Sequence, residues 1–245
     1  MMNIQHTEWN GFERLDFSFQ GHDALLILPQ EPRADKKWLF KTEYFGAFPA
    51  FELAMVQRGY HLAYVQNATR WATKEDTDLQ AAFCRFLTDH FGLAQRCMPV
   101  GMSCGGAEAV CLAGRYPDLV GAMYLDAPVL NYLSCPCAVS TGSRDEAVYE
   151  EFVRATGLTV QSLVNFREHP IDLVDRFLDK KIPVLLICGD KDTGVPFSEN
   201  GSILEQKYKA AGAPIVTFLK KDCGHHPHGL DDLGPMIDFA SKYYG

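Results

Sequence analysis

VGMSCGGAEAV, residues 100–110, runs from an apolar strand pattern into a helical one through a turn built of small residues. Gly101, Ser103 and Gly105 stand in a G-x-S-x-G spacing. Glycines are needed there because side chains would collide where a helix folds back tightly on the strand that feeds it. A serine standing on such a strained strand-to-helix turn is exposed at the C-terminal edge of a sheet. The stretch therefore predicts a parallel strand, a sharp turn and a helix.

Working outward, the chain alternates short apolar runs with helical patterns, the signature of a mostly parallel sheet covered on both faces. Eight strands are predicted, at residues 15–19, 24–28, 38–41, 61–65, 97–102, 122–125, 184–189 and 216–219. The first two flank QGHD, so the sheet is expected to open on an antiparallel hairpin. In the stretch DTDLQAAFCRFLTDHFG, Leu79, Ala82, Phe83, Phe86 and Leu87 share a helical face, with Asp76 or Thr77 as the expected cap. Pro235 suits the first turn of a last helix striped by Met236, Phe239, Ala240 and Tyr243. Residues 127–181 interrupt the alternation. There Ser143 with Glu146 reads as a capping box, Gly157 as a stop and Pro170 as the start of a second short helix, so a small helical lid is expected.

The 245 residues, 47% of them hydrophobic, suffice for one large domain, and a single domain over 1–245 is the expectation. Lys and Arg number 23 against 31 Asp and Glu, a net charge of -8, with no basic run to track phosphates, which argues against nucleic acid as a partner. No apolar run approaches the length of a bilayer span and the N-terminus lacks a signal-peptide pattern, so a cytoplasmic protein without membrane association is expected. Most of the eight cysteines lie in apolar segments and read as free buried thiols. Cys135 and Cys137 in SCPC lack zinc-site spacing, and neither a metal nor a cofactor is expected.

A serine hydroxyl is a weak nucleophile at neutral pH; it needs a base, and the base needs a group to orient it. Two loops offer them. VLLICGDKDTGVP ends a buried strand and carries Asp190 and Asp192; FLKKDCGHHPHGL ends the last strand and carries His225, His226 and His228. Asp126, in YLDAP, is a further acid, with a role as a turn residue beside Pro128 preferred.

Elbow, acid loop, histidine loop and lid, in that order along nearly the whole chain, resemble the α/β-hydrolase superfamily. That resemblance implies a mostly parallel eight-stranded sheet with helices on both faces and a Ser-acid-His triad. It selects Asp192, the second aspartate of a GDxDxxVP-like loop, with Asp190 stabilising that loop and Asp126 as another contender. It selects His225, which follows Gly224 directly, ahead of His226. The backbone amide of Cys104 is the implied first donor to an oxyanion. The second comes from the loop after the third strand, where relatives carry His-Gly; here WLFKTEYFGAFP intervenes, making Glu43 the expected donor. Lys41 and Glu43 are expected to pair with each other.

Tyr44, Trp71 and Tyr132 are candidate substrate contacts on the loops above the strands. The expected activity is hydrolysis of a small carboxylic ester through an acyl-enzyme. Resemblance to small stand-alone bacterial hydrolases gives a lean toward acylated carbohydrates, and a homodimer is left open. Two alternatives stand: a peptidase or amidase of the same fold, ranked lower because no repeats supply a propeller domain, and a non-catalytic binding member.

Overall fold

The computed structural model describes residues 3–245. Nine strands form one sheet: β1 (Gln5–Trp9), β2 (Phe12–Phe19), β3 (His22–Leu28), β4 (Trp38–Lys41), β5 (His61–Val65), β6 (Met98–Met102), β7 (Met123–Asp126), β8 (Val184–Gly189) and β9 (Ile215–Lys220). Their spatial order is β1-β2-β3-β5-β4-β6-β7-β8-β9. The first three strands and the β3–β5 pair are antiparallel; every pairing from β5 through β4 to β9 is parallel. The eight expected strands are present, and the count is corrected to nine. The addition, β1, is an edge strand whose residues, QHTEW, are nearly all exposed. Lacking a buried face, it has no apolar alternation to reveal it.

Among the described residues eight α-helices accompany these strands: α1 (Ala50–Val56), α2 (Lys74–Phe91), α3 (Cys104–Arg115), α4 (Glu146–Thr156), α5 (Val160–Leu163), α6 (Pro170–Leu173), α7 (Gly201–Ala210) and, after β9, α8 (Gly234–Tyr244). One sheet face is sealed by a cluster that includes Phe83, Leu87, Leu112 and Tyr208. The other is sealed by Phe51, Met55, Met236 and Phe239, from α1 and α8. Parallel strands buried on both sides explain why β6 and β8 read as unbroken apolar runs.

Two expected caps move. Thr73 caps α2, its hydroxyl accepting from the Asp76 amide at 3.1 Å. Asp76 is instead a buried hub that accepts from the amides of Ala68 and Thr69. Asp145, not Ser143, caps α4, accepting from the amides of Ala147 and Val148. Both shifts follow from geometry, since the cap must stand just before the first helical residue and reach its second or third amide. Gly157 ends α4 in the left-handed conformation, and Pro170 opens α6, both as expected.

The segment between β7 and β8 divides its work. Phe152 of α4 and Leu163 of α5 join Trp71, Cys104, Val129 and Tyr132 in a third apolar cluster above the sheet edge. Further along, Leu173 lies so close to Gly114 of α3 that a Cβ there would stand 2.7 Å from the leucine's own. That part is a crossover packed on α3, while α4 and α5, earlier in the segment, contribute to the third cluster.

Candidate active site

At the end of β6 the backbone of Ser103 is held at φ 53° and ψ -120°, outside the ordinary regions for a residue with a side chain. Its surroundings fix it there. The Ser103 amide donates to the Asp126 carbonyl at 2.9 Å, and the Ser103 carbonyl accepts from Gly106 at 2.9 Å and Val129 at 3.0 Å. A Cβ on Gly101 would strike the Gly105 carbonyl, and one on Gly106 would strike Pro128. The glycines thus let α3 turn back over β6, as the crowded motif demands.

Asp192 lies in the loop after β8 and His225 in the loop after β9. The Asp192 Oδ1 accepts from the amides of Gly194 at 2.9 Å and Val195 at 2.8 Å. Its Oδ2 lies 2.7 Å from His225 Nδ1, and His225 Nε2 lies 3.0 Å from Ser103 Oγ. An ionised carboxylate only accepts, so the proton sits on Nδ1 and the Nε2 lone pair faces the serine hydroxyl. Burial works to raise the Asp192 carboxyl, but the His225 and backbone hydrogen bonds outweigh it and hold it below the usual carboxylate range.

The remaining acids and histidines stand elsewhere. Asp190 uses its backbone, its amide donating to the Lys220 carbonyl at 3.0 Å. Asp126 is no simple turn residue: its carboxylate accepts from His228 Nδ1, the Tyr124 hydroxyl and the Gly229 amide, each at 2.7 Å. Together with Lys220, whose Nζ donates to the carbonyls of Pro227 and Gly229, it anchors the histidine loop. His226 is exposed and stacks on Phe48 with centroids 5.6 Å apart.

Above Ser103, neither the amide of Cys104 nor that of Glu43 finds an acceptor among the described residues. Gly105 leaves room for the Glu43 backbone against α3; a Cβ there would sit 3.4 Å from the Glu43 nitrogen. The Glu43 side chain points away from Lys41, which corrects the expected pair. Its Oε2 accepts from Asn67 at 2.7 Å, while Lys41 Nζ, buried at the end of β4, pairs with Glu52 of α1 at 2.5 Å. A buried lysine takes the nearest buried carboxylate, and here helix packing supplies it. Asn67 also donates to the Thr42 carbonyl and accepts from Gln80, which in turn donates to the fully buried Glu108. This network braces the Thr42–Glu43 backbone from behind. Burial pushes Glu43 above the usual carboxylate range, and pushes Glu108 well above it with the Asp76 charge adding to the effect.

Two cavities meet at Ser103 and His225. One, of about 240 Å³, lies under the lid between Trp71, Cys104, Cys135, Pro136, Val148 and Val195. The other, of about 400 Å³, is bounded by Tyr44, Phe48, Arg70, Met102, His226 and His228. Trp71 borders the first cavity and Tyr44 the second. Tyr132 borders neither cavity: it is buried and its hydroxyl donates to the Trp71 carbonyl at 2.7 Å. Arg70 went unremarked in the sequence, although it borders both cavities. It makes a two-pronged pair with Glu151 of α4 and reaches the Tyr44 hydroxyl at 3.4 Å. Its position in the loop after β5, at the carboxyl end of a parallel strand, is the signal that could have flagged it. Burial pushes the Cys104 thiol up to about 11, so it lines the cavity as a neutral wall.

The sequence profile described as the Prolyl oligopeptidase family matches residues 57–244. The chain belongs to the prolyl oligopeptidase family. Its architecture is the α/β-hydrolase fold. No curated protein matches the sequence of this family member. Among solved structures, dipeptidyl peptidase 4 of Porphyromonas gingivalis aligns at 13% identity and TM-score 0.66, over 99% of this chain and 35% of that one. Acylaminoacyl peptidase of Pyrococcus horikoshii aligns at 17% and 0.64, over 91% and 38%. S-formylglutathione hydrolase of Agrobacterium tumefaciens aligns at 16% and 0.62, over 92% and 93%. This prolyl oligopeptidase family chain spans little more than a third of the two peptidases and nearly all of the third protein. Among the described residues no helix is long and apolar enough to cross a membrane.

Proposed function

We propose that the chain hydrolyses small carboxylic esters through an acyl-enzyme on Ser103. The observation that carries this reading is the unbroken Asp192–His225–Ser103 chain of contacts beneath two amides that lack acceptors. In the first half-reaction His225 Nε2 takes the Ser103 proton as Oγ attacks the carbonyl carbon. The oxygen that becomes negative is met by the amides of Cys104 and Glu43. His225 then gives its proton to the leaving alkoxide as the ester bond breaks. Water repeats the sequence on the acyl-enzyme, releasing the acid and restoring the serine.

The lid-side cavity, about 240 Å³ and largely apolar in its walls, suits a compact acyl group. The larger opening beside Tyr44 and Phe48 suits the alcohol portion, and its aromatic rims favour a sugar or aryl group. The likeness over most of both chains to S-formylglutathione hydrolase, named for cleavage of a thioester, supports acyl transfer on a chain of this size. A second reading, cleavage of an amide in a small peptide, is favoured by the family match. Turnover of p-nitrophenyl acetate measured against aminoacyl p-nitroanilides separates them. The proposal expects the acetate to have the higher kcat/KM by a wide margin; a preference for the anilides would replace the ester with the amide.

A further inference from the structure

The histidine loop carries more imidazoles than the proposed chemistry uses. One ring nitrogen from each of His225, His226 and His228 lies within 4.8 Å of the other two. In two of these rings Nδ1 is bonded to a carboxylate at 2.7 Å, His225 to Asp192 and His228 to Asp126. That leaves Nε2 as the lone-pair nitrogen on both, the one on His225 facing the Ser103 hydroxyl at 3.0 Å. The His226 ring nitrogens have no partner among the described residues, and the ring is exposed. Histidines that ligate a metal characteristically donate their second nitrogen to a carboxylate, which fixes the tautomer and raises the basicity of the ligating one. Here two such carboxylate–histidine pairs converge with a third imidazole at the mouth of the cavity bounded by Phe48 and Ser103.

We propose that His225, His226 and His228 form an inhibitory binding site for a borderline-soft divalent cation, Zn²⁺ above all. Zn–N bonds of about 2.0–2.1 Å set tetrahedral nitrogens roughly 3.4 Å apart, so the triangle closes by small ring movements, the exposed His226 moving most. The fourth position faces the cavity, open to water or a substrate oxygen. Three neutral nitrogens and no protein oxygen select against Mg²⁺ and Ca²⁺. Inhibition follows from shared use of one atom: the His225 Nε2 lone pair that accepts the Ser103 proton is the one the cation takes. The inhibitory half of the proposal rests on the reading of His225 as the base; the binding half does not.

The test titrates chelator-treated full chain with Zn²⁺, with Mg²⁺ as the control, reading binding by competition with a chromophoric chelator and, separately, p-nitrophenyl acetate hydrolysis. Expected are equimolar Zn²⁺ binding, inhibition over the same concentration range, reversal by EDTA and no response to Mg²⁺. Ser103→Ala removes the competing hydroxyl and should bind Zn²⁺ at least as tightly as the parent. His226→Ala, at an exposed position, should weaken binding about tenfold or more and shift the inhibition of its own EDTA-treated rate by the same factor; His228→Gln is the second variant. Unchanged Zn²⁺ affinity in His226→Ala, or binding without inhibition of an active enzyme, overturns the proposal. If the parent hydrolyses nothing, the function reading falls, and the comparison of Ser103→Ala with a Ser103→Ala/His226→Ala double variant still decides the metal site.

Discussion

At the scale of single residues, Asp192 illustrates how an acid is kept ionised and useful in a buried position. Three donors converge on its two oxygens, so the carboxylate survives where burial alone would neutralise it. Asp192→Asn keeps the shape but lets His225 adopt the wrong tautomer, and kcat should fall by about 10⁴-fold with little change in fold. Steady-state kinetics on the variant check this; a loss below tenfold would hand the orienting role to another acid. Glu108 is the opposite case, a carboxyl buried without a cation and pushed well up. It holds its proton when folded at a pH where the unfolded chain, with a value of about 4.3, has released it. Its contribution is therefore full below that value and is lost, by about 1.4 kcal/mol per pH unit, as pH rises toward the folded one. Glu108→Gln cannot ionise, so its urea-unfolding stability should lose this decline between pH 5 and 8. A parallel decline in both proteins would contradict the assignment. Glu108 does not stand out in the sequence, because a glutamate inside a helix reads as solvated until its burial is known.

At the scale of elements, the sheet's carboxyl edge was legible and its supports were not. The strand-to-helix turn at Ser103 and the two loops holding Asp192 and His225 follow from local signals: glycine spacing, apolar runs and loop chemistry. The Lys41–Glu52 pair, the Asp126–His228 pair and the Arg70–Glu151 bridge join residues 11, 102 and 81 positions apart, and no periodicity links such partners. β1 escaped for another reason: nearly all exposed, it carries no apolar alternation to mark it. Two predictions belong here. A Cβ on Gly189, at the end of β8, would strike the carbonyls of Cys223 and Gly224, which are backbone and give little. Gly189→Ala should lower stability by about 1–3 kcal/mol and, by displacing His225, reduce kcat more than it raises KM. An unaltered kcat would show that the histidine loop floats free of β8. Glu52→Gln strands the Lys41 charge in the core and should cost about 3–5 kcal/mol in denaturant unfolding; a cost under 1 kcal/mol would mean that water reaches the lysine.

At the scale of the whole molecule, nine strands and two helical layers serve to bring three side chains, from positions 103, 192 and 225, to one edge. The superfamily and the α/β architecture were readable because order along the chain and strand-end placement are both linear properties of the sequence. Pocket size was not, since the cavity beside Trp71 is shaped jointly by α4, the 134–138 turn and the 193–195 loop. Tyr132, an expected substrate contact, proved to be lid packing for that reason: loop aromatics cannot be sorted into wall and core without the fold. The most direct measurement of the central idea is intact-mass analysis after exposure to a fluorophosphonate. A single adduct on the peptide containing Ser103, absent in Ser103→Ala and formed far more slowly in His225→Ala, is the predicted result. A parent chain that stays unlabelled, or one labelled equally fast without His225, would contradict it.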